Sequence, residues 1–137
     1  MIKNFLFVVA LAFAVVSQAK TPVSVYQAGA IDQIIKALGQ GDVSTISSFF
    51  PNTVAIAVLQ KAPSYFSKKQ AEQVLTDFFK KNAPRKFDVA HEGGQNTSQF
   101  TIGQLSTANG TYRVTFFLQD MGGKSLIQNI SIDRKDD

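Results

Sequence analysis

The chain contains no cysteine and a single histidine, His91, among its 137 residues. Without cysteine there is no disulfide framework, so any fold must be held by its core alone. One histidine and no thiol also leave too few soft ligands for a zinc site. Carboxylates do not fill the gap. Asp88 and Glu92 are the one close acidic pair before the terminal Asp136-Asp137. On a strand they would stand about 13 Å apart, too far to share an ion. There is no Ser–His–acid pattern, no glycine-rich loop of the phosphate-cradling kind and no calcium-loop spacing. Repeats, low-complexity blocks and a second long apolar run are also missing. The sequence therefore implies no metal, no cofactor and no catalytic residues.

The one long apolar run lies at the start. Lys3 precedes Phe5 to Val16, and Ser17-Gln18-Ala19 follows as a small-x-small site. That is the pattern of a secretory signal peptide over residues 1–19, too short to span a bilayer comfortably. The expectation is an exported, soluble protein, periplasmic or extracellular, with no stable membrane anchor after cleavage. No cysteine follows the run, which excludes a lipoprotein signal. Loss of residues 1–19 takes one charge, Lys3, and lowers the net charge from +4 to +3 over 118 residues. A chain of that length forms one domain burying roughly two-thirds of its unfolded surface. Residues 20–27 read as a flexible leader, 28–134 as the domain and 135–137 as a tail.

Within the domain, Ile31, Ile34, Ile35 and Leu38 repeat at helical spacing up to Gly39. Asp42 is placed to cap a short second helix carrying Ile46, Phe49 and Phe50 and ended by Pro51. Thr53 to Leu59 reads as a strand, and Ala62 to Phe66 as a short strand or turn. The strongest helix begins at Ser67, where Ser67 and Gln70 form a capping box. Ala71, Val74, Leu75, Phe78 and Phe79 give it one apolar stripe, and Asn82 and Pro84 end it. Lys80, Lys81, Arg85 and Lys86 gather at its end, where cations suit the helix dipole. That cluster lacks the broad basic face with stacking aromatics of a nucleic-acid binder, so no nucleic-acid partner is expected.

The last third organises the rest. Lys86 to Glu92 alternates as a strand, and two hairpins follow. Asn109-Gly110 suggests a type I′ turn, in which Thr107 faces Tyr112, Leu105 faces Val114 and Gly103 faces Phe116. A three-residue loop at Met121-Gly122-Gly123 would pair Leu118 with Leu126 and Phe116 with Gln128. Period-two reading then places Tyr112, Val114, Phe116, Leu118, Leu126, Gln128, Ile130 and Ile132 on a core face, joined by Phe87, Val89 and His91. Asp88, Glu92 and Asp133 point away from it. Phe100 and Ile102 fall on the opposite face beside Phe117 and Ile127. Either a bulge near Gly103 returns them to the core, or the sheet has a second apolar face.

The segments Ala37 to Asp42 and Phe49-Phe50 resemble the opening of nuclear transport factor 2-like domains. These are cystatin-like α+β cones in which helices pack on a curved antiparallel sheet and close a pocket. Ser67 to Phe79, Ile102 to Leu105, Asn109 to Val114 and Leu126 to Gln128 more narrowly resemble a family of small exported Bacteroidetes proteins, domain-of-unknown-function family 4783. The resemblance covers essentially the whole chain after the signal and implies the fold and an exported compartment. It carries over no catalytic residue. Some proteins of the broader fold are isomerases or dehydratases and many only bind, so fold alone does not choose.

The leading expectation is a non-enzymatic domain holding a small apolar or amphipathic ligand in the cone, lined by Phe78, Phe87, Val89, His91, Tyr112, Phe116 and Gln128, with Phe79 alongside. The alternative is a homodimer formed through Phe100, Ile102, Phe117 and Ile127. A third reading is an isomerase- or dehydratase-like enzyme using His91 as its base. No carboxylate is placed to orient that histidine.

Overall fold

The computed structural model describes residues 25–135, with side chains from residue 29 onward. The signal-peptide reading of residues 1–19 lies outside the described residues. Three helices, α1 (Val25–Gln40), α2 (Val43–Ser47) and α3 (Lys68–Lys81), pack on a sheet of six strands. The strands are β1 (Thr53–Val58), β2 (Ser64–Ser67), β3 (Pro84–Gln95), β4 (Ser98–Thr107), β5 (Gly110–Met121) and β6 (Lys124–Arg134). Their order across the sheet is β2-β1-β6-β5-β4-β3. Every neighbouring pair is antiparallel except β1 and β6, which run parallel with Ile56 beside Ile130. The α+β reading holds, with a mixed sheet in place of a wholly antiparallel one.

The apolar stripes and caps of the helices form where the sequence places them, but α2 ends at Ser47, so Phe49 and Phe50, read as part of it, lie beyond its end. Ile31, Ile34 and Leu38 are buried as the spacing requires, and Ala30 and Ala37 join them. The helix starts at Val25, so residues 25–27, read as leader, are helical. It also runs one residue past Gly39, whose missing side chain lets the backbone of Phe87 approach: a Cβ there would lie 3.3 Å from the Phe87 amide nitrogen. Gly41, at φ +69°, ends the helix instead, using the left-handed conformation that glycine adopts without strain. Asp42 caps α2 by accepting from the Thr45 hydroxyl at 2.6 Å and from its amide at 3.2 Å. Those bonds, the hydroxyl first, hold the Asp42 carboxyl below its ordinary value. The stabilisation they give is present above the ordinary carboxylate range and lost as pH falls through the lowered value. Ser67 and Gln70 form the expected capping box of α3, and Ala71, Leu75, Phe78 and Phe79 are buried beneath it.

The sheet departs from simple alternation at its turns and bulges. The β4–β5 turn is Ala108-Asn109, with Thr107 opposite Gly110, so Leu105 faces Tyr112 and Gly103 faces Val114. Thr107 Oγ1 fixes this turn by accepting from the Asn109 amide at 3.1 Å and donating to the Gly110 carbonyl at 2.8 Å. The two-residue shift from the Asn-Gly expectation keeps every side chain on its anticipated face. The β5–β6 turn holds two residues, not three: Gly122 and Gly123, at φ +62° and +83°, close it with Met121 opposite Lys124. That one-residue change moves Leu126 off the core face and brings Ile127, expected outside, into the core with no exposure. Gln128 is then an extra residue between the Leu118–Ile127 and Phe117–Asn129 pairs, a bulge that restores Ile130 and Ile132 to the core.

Phe100 and Ile102 stay on the face away from the helices. No register shift interrupts β4 against β5, so the sheet has a second, partly apolar face. Gly103 is needed for contact rather than for a bulge, since the Phe87 ring occupies the place of its side chain, with Cζ 2.3 Å from where a Cβ would stand. Strand β3 forms one edge of the sheet and is interrupted at Arg85 and Ala90. Bulges and charges on a long edge oppose pairing with a foreign strand.

Candidate functional site

The side chains expected to line one cup are divided by this architecture. Tyr112 and Phe116 are fully buried and belong to the packed core. Phe87 is half-buried on the same face, covering Gly103. Val89 shares that face but is 41% exposed. His91 does not share it. The extra residue Ala90 turns His91 to the outer face opposite Ile102, where it is exposed. Gln128, carried by the β6 bulge, donates from Nε2 to Met121 Sδ at 3.1 Å and takes no part in the core. The same Ala90 bulge places Glu92 opposite Thr101, so Glu92 lies on the helix-facing side rather than away from it. It remains exposed there, and neither His91 nor Tyr112 has a hydrogen-bonded carboxylate partner among the described residues.

Phe78 is the residue that reaches an opening. It stands edge-on to Tyr112, with ring centroids 5.1 Å apart, and to Phe79 at 5.6 Å. Its other side borders a groove of about 340 Å³ between α3 and the β1–β2 hairpin. Ile56 and Val58 come from β1, Phe66 from β2, Val74 and Phe78 from α3, and Leu59 from the loop. The helical stripe and the strand alternation thus supply one apolar wall each. Volumes of this order are at the lower end of small-molecule sites, which combine apolar walls with a few placed polar groups.

The placed polar group is Asn82, 7% exposed and positioned as the C-cap of α3. Its Nδ2 donates to the Phe78 carbonyl at 3.1 Å and its Oδ1 accepts from the Tyr112 hydroxyl at 2.8 Å. One amide hydrogen of Asn82 is left over after these bonds. Lys61, Asp77 and Lys81 stand at the border of the groove. Nothing in the arrangement pairs an acid with a base across the opening, and no group of three or more His, Cys, Asp or Glu side chains able to hold a metal occurs among the described residues.

Of the anticipated lining, then, Phe78 alone borders this groove. Ile56, Val58, Phe66, Val74 and Asn82 do so without having been singled out for it. The apolar residues of β1 and the α3 stripe were visible as core signals. Their meeting on one side of the sheet depends on the pairing of β1 with β6, which no local pattern indicates.

A curved sheet with helices on one side and a groove opening between helix and sheet is the architecture of the nuclear transport factor 2-like class. One solved structure of that class, a nuclear transport factor 2-like protein of unknown function from Silicibacter pomeroyi, superimposes with a TM-score of 0.59 at 10% identity, covering 80% of this chain and 93% of that one. That likeness is one of fold. The model of the domain-of-unknown-function family DUF4783 matches residues 31–133, and the chain belongs to that family. A DUF4783 protein from Bacteroides uniformis is 30% identical, with a TM-score of 0.73, and the match covers 77% of this chain and 97% of that one. A second, from Bacteroides ovatus, is 31% identical with a TM-score of 0.73, covering 77% and 94%. No curated protein matches the chain.

Proposed function

We propose that the protein is an exported, non-catalytic binding domain that holds a small apolar or amphipathic molecule in the groove between α3 and the β1–β2 hairpin. The observation that carries this reading is the groove itself: about 340 Å³, apolar on both walls, with one nearly buried amide at Asn82. A non-catalytic role fits the separation of His91 from the helix-facing side and from any orienting carboxylate. Export is supported by the Met1–Ala19 pattern. No helix among the described residues is long and apolar enough to cross a membrane. Native mass spectrometry and solvent extraction of freshly purified protein test the proposal. A bound small molecule, released on replacing Val74 with Trp, is the expected result. Protein of bare polypeptide mass that takes up no apolar compound would refute it.

A second reading, self-association through the outer sheet face, rests on a separate observation. Tyr65, Ala55, Asn129, Phe117 and Phe100 form one continuous row across five strands on that face. Tyr65 is 79% and Phe117 42% exposed, and Phe100 lies against Phe117 with centroids 5.9 Å apart. Exposed aromatics in a contiguous patch mark contact surfaces. Phe117→Lys is expected to halve the mass seen by light scattering. A wild-type protein that is already monomeric at high concentration removes this reading and leaves the groove untouched.

A further inference from the structure

We infer that the molecule held in the groove is a monoanionic amphiphile, an apolar body with one carboxylate-type head taken by Lys61 and Lys81. The inference rests on the groove being a binding site. Lys61 from the β1–β2 loop and Asp77 and Lys81 from α3 are the charged residues that border it, and they differ in what holds them. Asp77 Oδ1 accepts from Gln73 Nε2 at 2.9 Å, which ties the carboxylate to the surface of its own helix. Among the described residues neither lysine has an ion-pair partner, the ion pair there being Lys86–Asp88 at 3.2 Å.

The carbonyl end of a helix repels anions and would ordinarily engage a nearby lysine. In α3 that end is met by neutral donors. The Phe78 carbonyl accepts from the Asn82 amide at 2.9 Å and from Asn82 Nδ2, and the Lys81 carbonyl accepts from Asn109 Nδ2. The Lys81 ammonium is thereby left for a ligand.

The loop that brings Lys61 to the border gives an independent indication. Leu59 and Gln60 both lie in the left-handed region, at φ +55° and +62°. Residues with side chains seldom occupy that region, and bulky ones least, so such strain is found where a site is being shaped. Hydrogen bonds from the Leu59 amide to the Ile132 carbonyl, 2.7 Å, and from the Gln60 amide to Asp133 Oδ1, 3.2 Å, hold the loop in place. Its effect is to keep Leu59, 44% exposed, beside the apolar wall, with the ammonium of Lys61 two residues on. An apolar contact next to a cation matches the junction between the tail and the head of an amphiphilic acid.

Calorimetric titration of the full mature protein with octanoate, octan-1-ol and octyltrimethylammonium tests this. Octanoate is expected to bind about five- to tenfold more tightly than octan-1-ol, the sum of two exposed charge contacts. Added salt should erode that difference. K61Q/K81Q should abolish the preference for octanoate over octan-1-ol; both side chains are exposed, and circular dichroism checks that the fold is kept. Equal binding of octanoate and octan-1-ol, or preference for the cation, would overturn the head-group assignment with the groove reading intact. Failure of all three to bind would overturn the groove reading as well.

Discussion

Phe116→Ala is expected to destabilise the protein by about 3–5 kcal/mol, the range for deleting a buried aromatic ring from a close-packed core. Phe116 is 1% exposed and sits between Thr101 on β4 and Ile130 on β6, with no part of it bordering the groove. The sequence pattern alone would make Phe116 a ligand contact, whose truncation would enlarge a pocket and change binding at small cost in stability. The structure makes it a packing residue, so the loss should appear in urea unfolding, with octanoate affinity unchanged when measured well below the transition. A loss under about 1.5 kcal/mol would mean that the ring faces open space, and the division between core and groove drawn here would be wrong.

Asn82→Ala carries the second large effect. The change removes the acceptor of the hydroxyl of Tyr112, a residue only 2% exposed. It also removes one of the two donors on the Phe78 carbonyl at the end of α3. Leaving a buried hydroxyl unpaired costs about 1–3 kcal/mol, and the lost cap bond adds about 1 kcal/mol. Tyr112→Phe in the wild-type background should cost about 1 kcal/mol, since the remaining Asn82 oxygen loses only that donor. In the double variant the hydroxyl is no longer there to be stranded. The two changes should therefore be less than additive, with a coupling of about 1–2 kcal/mol in a double-mutant cycle. Strict additivity would show that the Tyr112–Asn82 bond carries no weight in holding the end of α3 to the sheet.

These residues also show what could be read from the sequence. The α3 capping box, the Asp42 cap and the α1 stripe are local devices, decided within eight residues of chain or fewer, and all three formed. Strand faces were legible wherever alternation was unbroken, which is why Tyr112, Val114 and Phe116 lie where period two puts them even though the turn sits one residue earlier than Asn-Gly and the register shifts by two. Reading failed where one residue was inserted or lost. Ala90 turned His91 outward and Glu92 inward, Gln128 became a bulge, and the Gly122-Gly123 turn exchanged Leu126 for Ile127. No propensity marks such positions, because a bulge is fixed by how the neighbouring strand is packed. The groove was illegible for a related reason. Its β1 wall is placed by Ala55–Asn129 and Ile56–Ile130, pairs of residues more than seventy positions apart.

The most direct test of the account is a 1H–15N and methyl chemical-shift map of the mature protein titrated with octanoate. Binding between α3 and the β1–β2 hairpin requires the largest changes at Ile56, Val58, Val74 and the Asn82 side-chain amide, with the buried methyls of Val114 and Leu118 barely moved. Shifts centred instead on Phe100 and Phe117, or no saturable shifts at all, would contradict it.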